Sequence, residues 1–182
     1  MFARTARLTL RPAWPEDAAA LSHAIGHEQV VKMLSHVPWP YSLDDAREFL
    51  ARPRSGTDAF FLILSHEADY PRLVGGMGFA PAATGGHEFG YWFTPDAWGR
   101  GYATEAGRAV VAIARHALGL KQLRAGHFVD NPASGRVLTK LGFRPTGTVE
   151  PRHSRARGTE APCAVFELDL DEDPMCEVRL AA

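Results

Sequence analysis

Cysteine is scarce in this chain of 182 residues: there are two, Cys163 and Cys176, too few to staple a secreted disulfide scaffold. No apolar run approaches the ~20 residues of a membrane span. Arg4 and Arg7 lie near the start, but no apolar segment of ~7–15 residues follows them to make a signal peptide. Excess charge is missing as well. Lys plus Arg number 20 and Asp plus Glu 21, a formal net charge of −1, so electrostatics offers no nucleic-acid or membrane-surface partner. These absences point to a reduced cytoplasm. Repeats and interdomain linkers are also lacking, and the length suits one domain over 1–182. Its core spans about 8–170, and the tail 171–182 takes no assignment.

What is present alternates between strand and helix patterns. Leu8 and Leu10 alternate with polar neighbours as a short strand. A helix starts after Trp14-Pro15-Glu16-Asp17 with Ala18, Leu21 and Ile25 on one face, and Gly26 lies near its end. A short apolar stretch, Val30 to Leu34, precedes Val37 to Tyr41, which two prolines keep extended. Ser42-Leu43-Asp44-Asp45 opens a helix running to about Ala51. Strands follow at Ala59 to Ser65, at Leu73 to Ala80 and at Glu88 to Phe93; glycines in the second predict close packing or a bulge. A helix from Ala103 to Leu118 stops at Gly119. The remaining elements are a strand (Leu123 to Val129), a helix (Pro132 to Leu141), a short strand (Arg144 to Gly147), a polar stretch and a strand from Ala164 to Leu170.

The segment Phe89 to Ala106, FGYWFTPDAWGRGYATEA, joins a strand to a helix through a turn of small residues. Such a turn lets backbone N–H groups converge, and the helix adds its positive dipole end, so the arrangement suits phosphate. Three cradles compete. A Walker A loop needs Gly-Lys-Ser/Thr, which does not occur. A dinucleotide fingerprint needs a third glycine where Gly99-Arg100-Gly101-Tyr102-Ala103-Thr104 has none, and an acidic residue ~20 positions on, where Leu120 to Leu123 stand.

The third is the Gln/Arg-x-x-Gly-x-Gly/Ala pyrophosphate loop, matched by Trp98 to Ala103 except that Trp98 holds the first position. Behind it, Asn131, Ser134, Leu138, Gly142 and Phe143 fit N-x-x-S-x-x-x-L-x-x-x-G-F, and Leu8-Thr9-Leu10-Arg11-Pro12 fits an L-x-L-R-P opening strand. On these motifs the chain, from about Leu8 to Leu170, resembles the GNAT superfamily of N-acetyltransferases, in particular the branch of ribosomal-protein acetyltransferases. The resemblance implies a mixed α/β fold with a twisted sheet of about six to seven strands and about four flanking helices. It also implies acetyl-coenzyme A as co-substrate and an amine acceptor, as a monomer or homodimer.

Site residues follow from the same resemblance. Glu88-Phe89-Gly90-Tyr91 matches E-x-G-Y, whose carboxylate acts as a base through water; the alternative for Glu88 is an acid facing solvent. His87, next to it on the strand, points to the other face. Ser134 is the candidate acid for the departing thiolate, or else a helix residue bonded to its own backbone. Other branches use a tyrosine there, but tyrosines occur only at 41, 70, 91 and 102. Asn131 is both cap and coenzyme contact. The backbone of Tyr91, Trp92 and Phe93 is expected to line a gap between splayed strands and stabilise the oxyanion. Trp98, Gly99, Arg100, Gly101, Tyr102, Ala103 and Thr104 are expected to hold pyrophosphate. Trp39 and Tyr41, with Arg152, Arg155 and Arg157 on a loop from Arg152 to Thr159, frame the acceptor.

Other features carry no chemistry. His23 and His27 are four apart, but Ala24 stands where H-E-x-x-H needs glutamate, so no metal is expected. His127 alternates with Leu123 and Ala125 and reads as core-facing; Cys163 reads as packing. The leading acceptor is a protein or peptide α-amine. A small-molecule amine (antibiotic, polyamine or amino acid) is the alternative, and a non-catalytic acyl-coenzyme A sensor is the alternative of another class.

Overall fold

A computed structural model describes residues 1–54, 56–82 and 85–171; the tail from 172 onward, with Cys176, lies outside them. Eight strands form one sheet: β1 (Ala3–Arg4), β2 (Leu8–Pro12), β3 (Ala59–Ser65), β4 (Arg72–Pro81), β5 (His87–Phe93), β6 (Gln122–Phe128), β7 (Arg144–Ser154) and β8 (Thr159–Asp169). Their order is β1-β2-β3-β4-β5-β6-β8-β7. Every neighbouring pair is antiparallel except β5 and β6. A parallel pair needs a crossover, and α4 (Tyr102–Ala112) supplies it, widening into a π-helical turn over Ile113–Ala117.

Helices cover both faces. On one, α4 and α5 (Pro132–Lys140) close the main core around Leu8, Leu10, Ile63, Met77, Phe89, Tyr102 and Leu123. On the other, α1 (Ala18–Ile25), α2 (Glu28–Val31) and α3 (Leu43–Ala51) pack on Leu62 and Trp92. Burial on both sides explains why β3 reads as an unbroken apolar run, AFFLIL, before Ser65. The glycines of β4 accompany both expected features. Gly76 lets the Trp92 indole cross the strand, since a Cβ there would meet Nε1 at 2.6 Å, and the β3–β4 register shifts at Ile63/Leu64.

The Arg11-Pro12 motif has a physical purpose. Arg11 donates to both oxygens of Asp17 at 2.7 and 2.6 Å and lies over the Trp14 ring at 4.3 Å, tying β2 to the entry of α1. Hydrogen bonding from Arg11 holds the Asp17 carboxyl below its usual value. Stability from this pair is therefore present above the unfolded carboxylate pKa and is lost as pH falls through the lowered one. Asp17→Asn should cost about 1–2 kcal/mol at pH 7. Denaturant unfolding should show the difference closing as pH falls through the lowered carboxylate pKa; a deficit that persists below it would assign it to packing.

The described residues carry the expected mixed α/β fold, with eight strands, counting the two-residue β1, and five α-helices, slightly more of each than expected. Val30 and Val31 of the apolar stretch lie in the short helix α2. One reading needs correction. The expected short strand after Arg144 and the loop from Arg152 form one long hairpin, β7 with β8. Pro145, Gly147 and Pro151 disguised β7, an outer strand where missing N–H groups are tolerated.

Candidate active site

Strands β5 and β6 pair only at Glu88↔Arg124 and Phe89↔Ala125, then part. Beyond that point the edge of β5 is open. The Thr94 N–H donates to the Val74 carbonyl at 2.9 Å, so by alternation the peptide groups of Tyr91 and Phe93 face the gap. Gly90 is exposed although it lies mid-strand in the sheet, and no described atom comes within 4 Å of where its Cβ would be. Trp92 and Phe93 send their side chains into opposite cores, leaving only backbone to the gap. The Trp98 indole N–H donates to the Phe93 carbonyl at 2.9 Å, so the residue that departs from the family pattern fastens the loop to the strand.

After a 3-10 turn at Pro95–Ala97 the chain passes Gly99 (φ 73°) and Gly101 (φ 80°), a left-handed backbone that costs about 1–2 kcal/mol for other residues. The first bond of α4 runs from the Glu105 N–H to the Gly101 carbonyl at 3.0 Å. The N–H groups of Tyr102, Ala103 and Thr104 therefore point out of the helix start, as an anion requires. Arg100 is exposed beside them. The Tyr102 side chain turns away: it is fully buried, bonded to Ser65 Oγ at 3.0 Å and to Glu67, so Tyr102 offers the loop its N–H alone.

Asn131 caps α5, its Oδ1 accepting from the Ser134 N–H at 3.3 Å. Ser134 Oγ lies 2.8 Å from the Tyr91 hydroxyl, which also donates to the Ser134 carbonyl at 3.2 Å. Burial pushes the Tyr91 phenol up to about 12, against a smaller lowering by Ser134, so it keeps its proton at neutral pH. Sequence reasoning credited Tyr91 with backbone contacts only. Strand alternation puts its ring on the face of Phe89, but the meeting with Ser134 is long-range. His127 packs on Phe166 and donates from Nδ1 to the Phe128 carbonyl at 2.8 Å, half-buried.

Glu88 projects from the opposite face. It is ion-paired with Arg152, whose Nη2 also bonds Glu150 at 3.0 Å. Burial opposes the Arg152 charge, yet the carboxylates outweigh it and hold its pKa above the ordinary value. Cys163 is buried next to this group, its thiol pushed up by burial. His87 meets Phe79 edge to face at 6.2 Å on the other face, and its Nε2 has no partner among the described residues. Glu88 and Ser134 thus occupy opposite faces, with the gap between β5 and β6 linking them.

The tip of the β7–β8 hairpin docks on residues 32–36. Ser154 Oγ donates to the Leu34 carbonyl at 3.1 Å, and the Arg155 N–H to that of Ser35 at 3.0 Å. Arg157 donates to the Lys32 carbonyl at 2.7 Å and to both Asp130 oxygens at 2.8 and 3.1 Å. Trp39, half-exposed, shares a groove with Lys32, Met33, Asp130 and Arg157. Tyr41 packs into the α1–α3 layer instead, its phenol pushed to about 12 by burial. Arg152 and Arg155 are already engaged, the latter with the His36 carbonyl at 3.4 Å. No helix of the described residues is long and apolar enough to cross a membrane, and none of their His, Cys, Asp and Glu side chains form a group of three or more suited to a metal.

The model of the family described as acetyltransferase (GNAT) domain matches residues 7–144. The uncharacterised N-acetyltransferase YoaA of Bacillus subtilis (strain 168) is 30% identical over 175 residues, 90% of this chain and 94% of that protein. Ribosomal-protein-S5-alanine acetyltransferase from Vibrio fischeri superposes with a TM-score of 0.79 at 13% identity, covering 94% of this chain and 98% of its own. Spermidine N-acetyltransferase from Vibrio cholerae, solved with CoA and spermine, gives 0.76 at 16% identity, covering 92% and 98%.

Proposed function

The chain belongs to the GNAT acetyltransferase family, and from that premise we propose that it transfers acetyl from acetyl-coenzyme A to a primary amine by direct attack in a ternary complex. The leading acceptor is the α-amine of a protein or peptide, in the cytoplasm. The observation that carries this reading is the parting of β5 and β6 above the exposed Gly90, with the loop from Trp98 to Thr104 at its end. Loop N–H groups hold the pyrophosphate, and the open part of the β5 edge, the Tyr91 peptide group and the Phe93 N–H, pairs with the pantetheine arm. Asn131 and Ser134 border that arm.

The amine nitrogen forms its bond to the thioester carbon, and the carbon–sulfur bond breaks. Glu88 takes the amine proton through water from the α1–α3 face, and a backbone N–H of the β5 edge stabilises the oxyanion. Ser134 gives its proton to the leaving thiolate from the α4–α5 face, with Tyr91 behind it. Ser134→Ala should lower turnover about 10- to 100-fold while cofactor affinity changes little, and Tyr91→Phe should follow the same pattern more weakly. Steady-state kinetics beside calorimetry separates the two. Equal losses in both would make Ser134 a binding residue.

A small cationic amine is the second reading. It is favoured by two carboxylates, Glu88 and Glu150, facing one guanidinium, Arg152. Acetyl-coenzyme A consumption screened across N-terminal peptides, polyamines, amino acids and aminoglycosides decides between them. Cofactor binding with no acetylated product from any pool would overturn the enzymatic reading.

A further inference from the structure

Thr5, Arg7 and Glu105 form a polar cluster beneath the phosphate loop, and no step of the chemistry above uses it. Glu105 lies in the first turn of α4, its side chain 19% exposed. Its carboxylate accepts the Thr5 hydroxyl at 2.6 Å, the Arg7 N–H at 3.0 Å, and Arg7 Nε and Nη2 at 2.8 and 2.7 Å. The Arg7 guanidinium stacks over the Tyr102 ring at 4.8 Å, and Nη2 stands 3.6 Å from where a Cβ on Gly101 would be. Its Nη1 faces Glu67 at 4.0 Å, the same carboxylate that accepts from the Tyr102 hydroxyl.

A carboxylate in a helix's first turn suits the dipole but repels a phosphate at the same end. Here it also fastens the β1–β2 turn to the helix, so its geometry is needed while its charge is a liability. We propose that Arg7 is a positioning residue of the phosphate loop: it grips Glu105 through its fork and cancels its charge, so that the N-terminus of α4 stays open to a pyrophosphate. The inference rests on the cradle reading of the loop under Proposed function. The same ion pair holds the Arg7 pKa above its ordinary value.

Two halves of the co-substrate make the test, 3′-phosphoadenosine 5′-diphosphate and S-acetylpantetheine, with binding followed by calorimetry or ligand-observed NMR. Arg7→Met leaves Glu105 uncompensated and should weaken the phosphate-bearing half by about tenfold or more, with S-acetylpantetheine within about twofold. Adding Glu105→Gln to that variant removes the stranded charge and should restore most of the affinity. A purely structural brace predicts the reverse, because the double variant loses more bonds. Arg7→Lys keeps the charge but loses the fork and the stacking on Tyr102, so it should weaken the phosphate-bearing half by a smaller factor of about three and leave S-acetylpantetheine unchanged; this selective loss carries the test if Arg7→Met does not fold. Absent rescue, equal loss of both halves, or no loss from Arg7→Met overturns the role of Arg7. Failure of the wild type to bind the phosphate-bearing half sinks the cradle reading instead.

Discussion

Gly101→Asp should weaken acetyl-coenzyme A binding by about 10²- to 10³-fold, or ~3–4 kcal/mol. Three effects act in one direction. Gly101 sits at φ 80°, where a side chain costs about 1 kcal/mol, somewhat less for aspartate. The new carboxylate would stand at the mouth of the cradle and repel the pyrophosphate. It would also meet Arg7, 3.6 Å from the Cβ position, and compete with Glu105 for the guanidinium. Gly101→Ala isolates the first effect and should lose far less affinity. Calorimetry on both variants checks this, and an unchanged dissociation constant for Gly101→Asp would remove the loop from cofactor binding.

Glu88→Gln should lower turnover on the order of 10²-fold near pH 7. Deprotonating an α-amine of pKa ~7.8 costs about 1 kcal/mol at that pH, against about 4–5 kcal/mol for a lysine at ~10.4. As solution itself supplies neutral amine, the deficit should shrink. Recovery would begin near pH ~8 for an α-amine and near pH ~10 for lysine, so one pH series tests the base and the acceptor class together. Arg152 binds one side of Glu88 and must be accounted for: the glutamine side chain keeps the shape but loses the ion pair. A deficit that stays level from about pH 6 to 10 would mean that Glu88 positions the acceptor electrostatically.

Local signals made much of this legible. The small-residue turn from Gly99 to Gly101 and the helix after it follow from backbone sterics within a few residues, and the structure places them as the sequence predicts. Asn131 before Pro132 is a cap readable from two letters, and its Oδ1 accepts the Ser134 N–H. The period of two along β5 separates Glu88, Gly90 and Trp92 from Phe89, Tyr91 and Phe93. The hairpin was misread because prolines hide an outer strand from pattern matching.

What the sequence by itself determined is the order of most elements, the glycine turn that opens α4 and the choice of candidate residues, because each depends on neighbours along the chain. What only the tertiary structure decided is which of these residues meet. Tyr91 and Ser134 are 43 positions apart, Glu88 and Arg152 64, and Arg157 and Lys32 125. Contacts at such separations arise when the sheet brings its strands together and the helices close on its two faces, and no local propensity encodes them. The placement of Glu88 and Ser134 on opposite faces of one gap is of this kind. It depends on where β5 and β6 stop pairing, which packing on both sides sets.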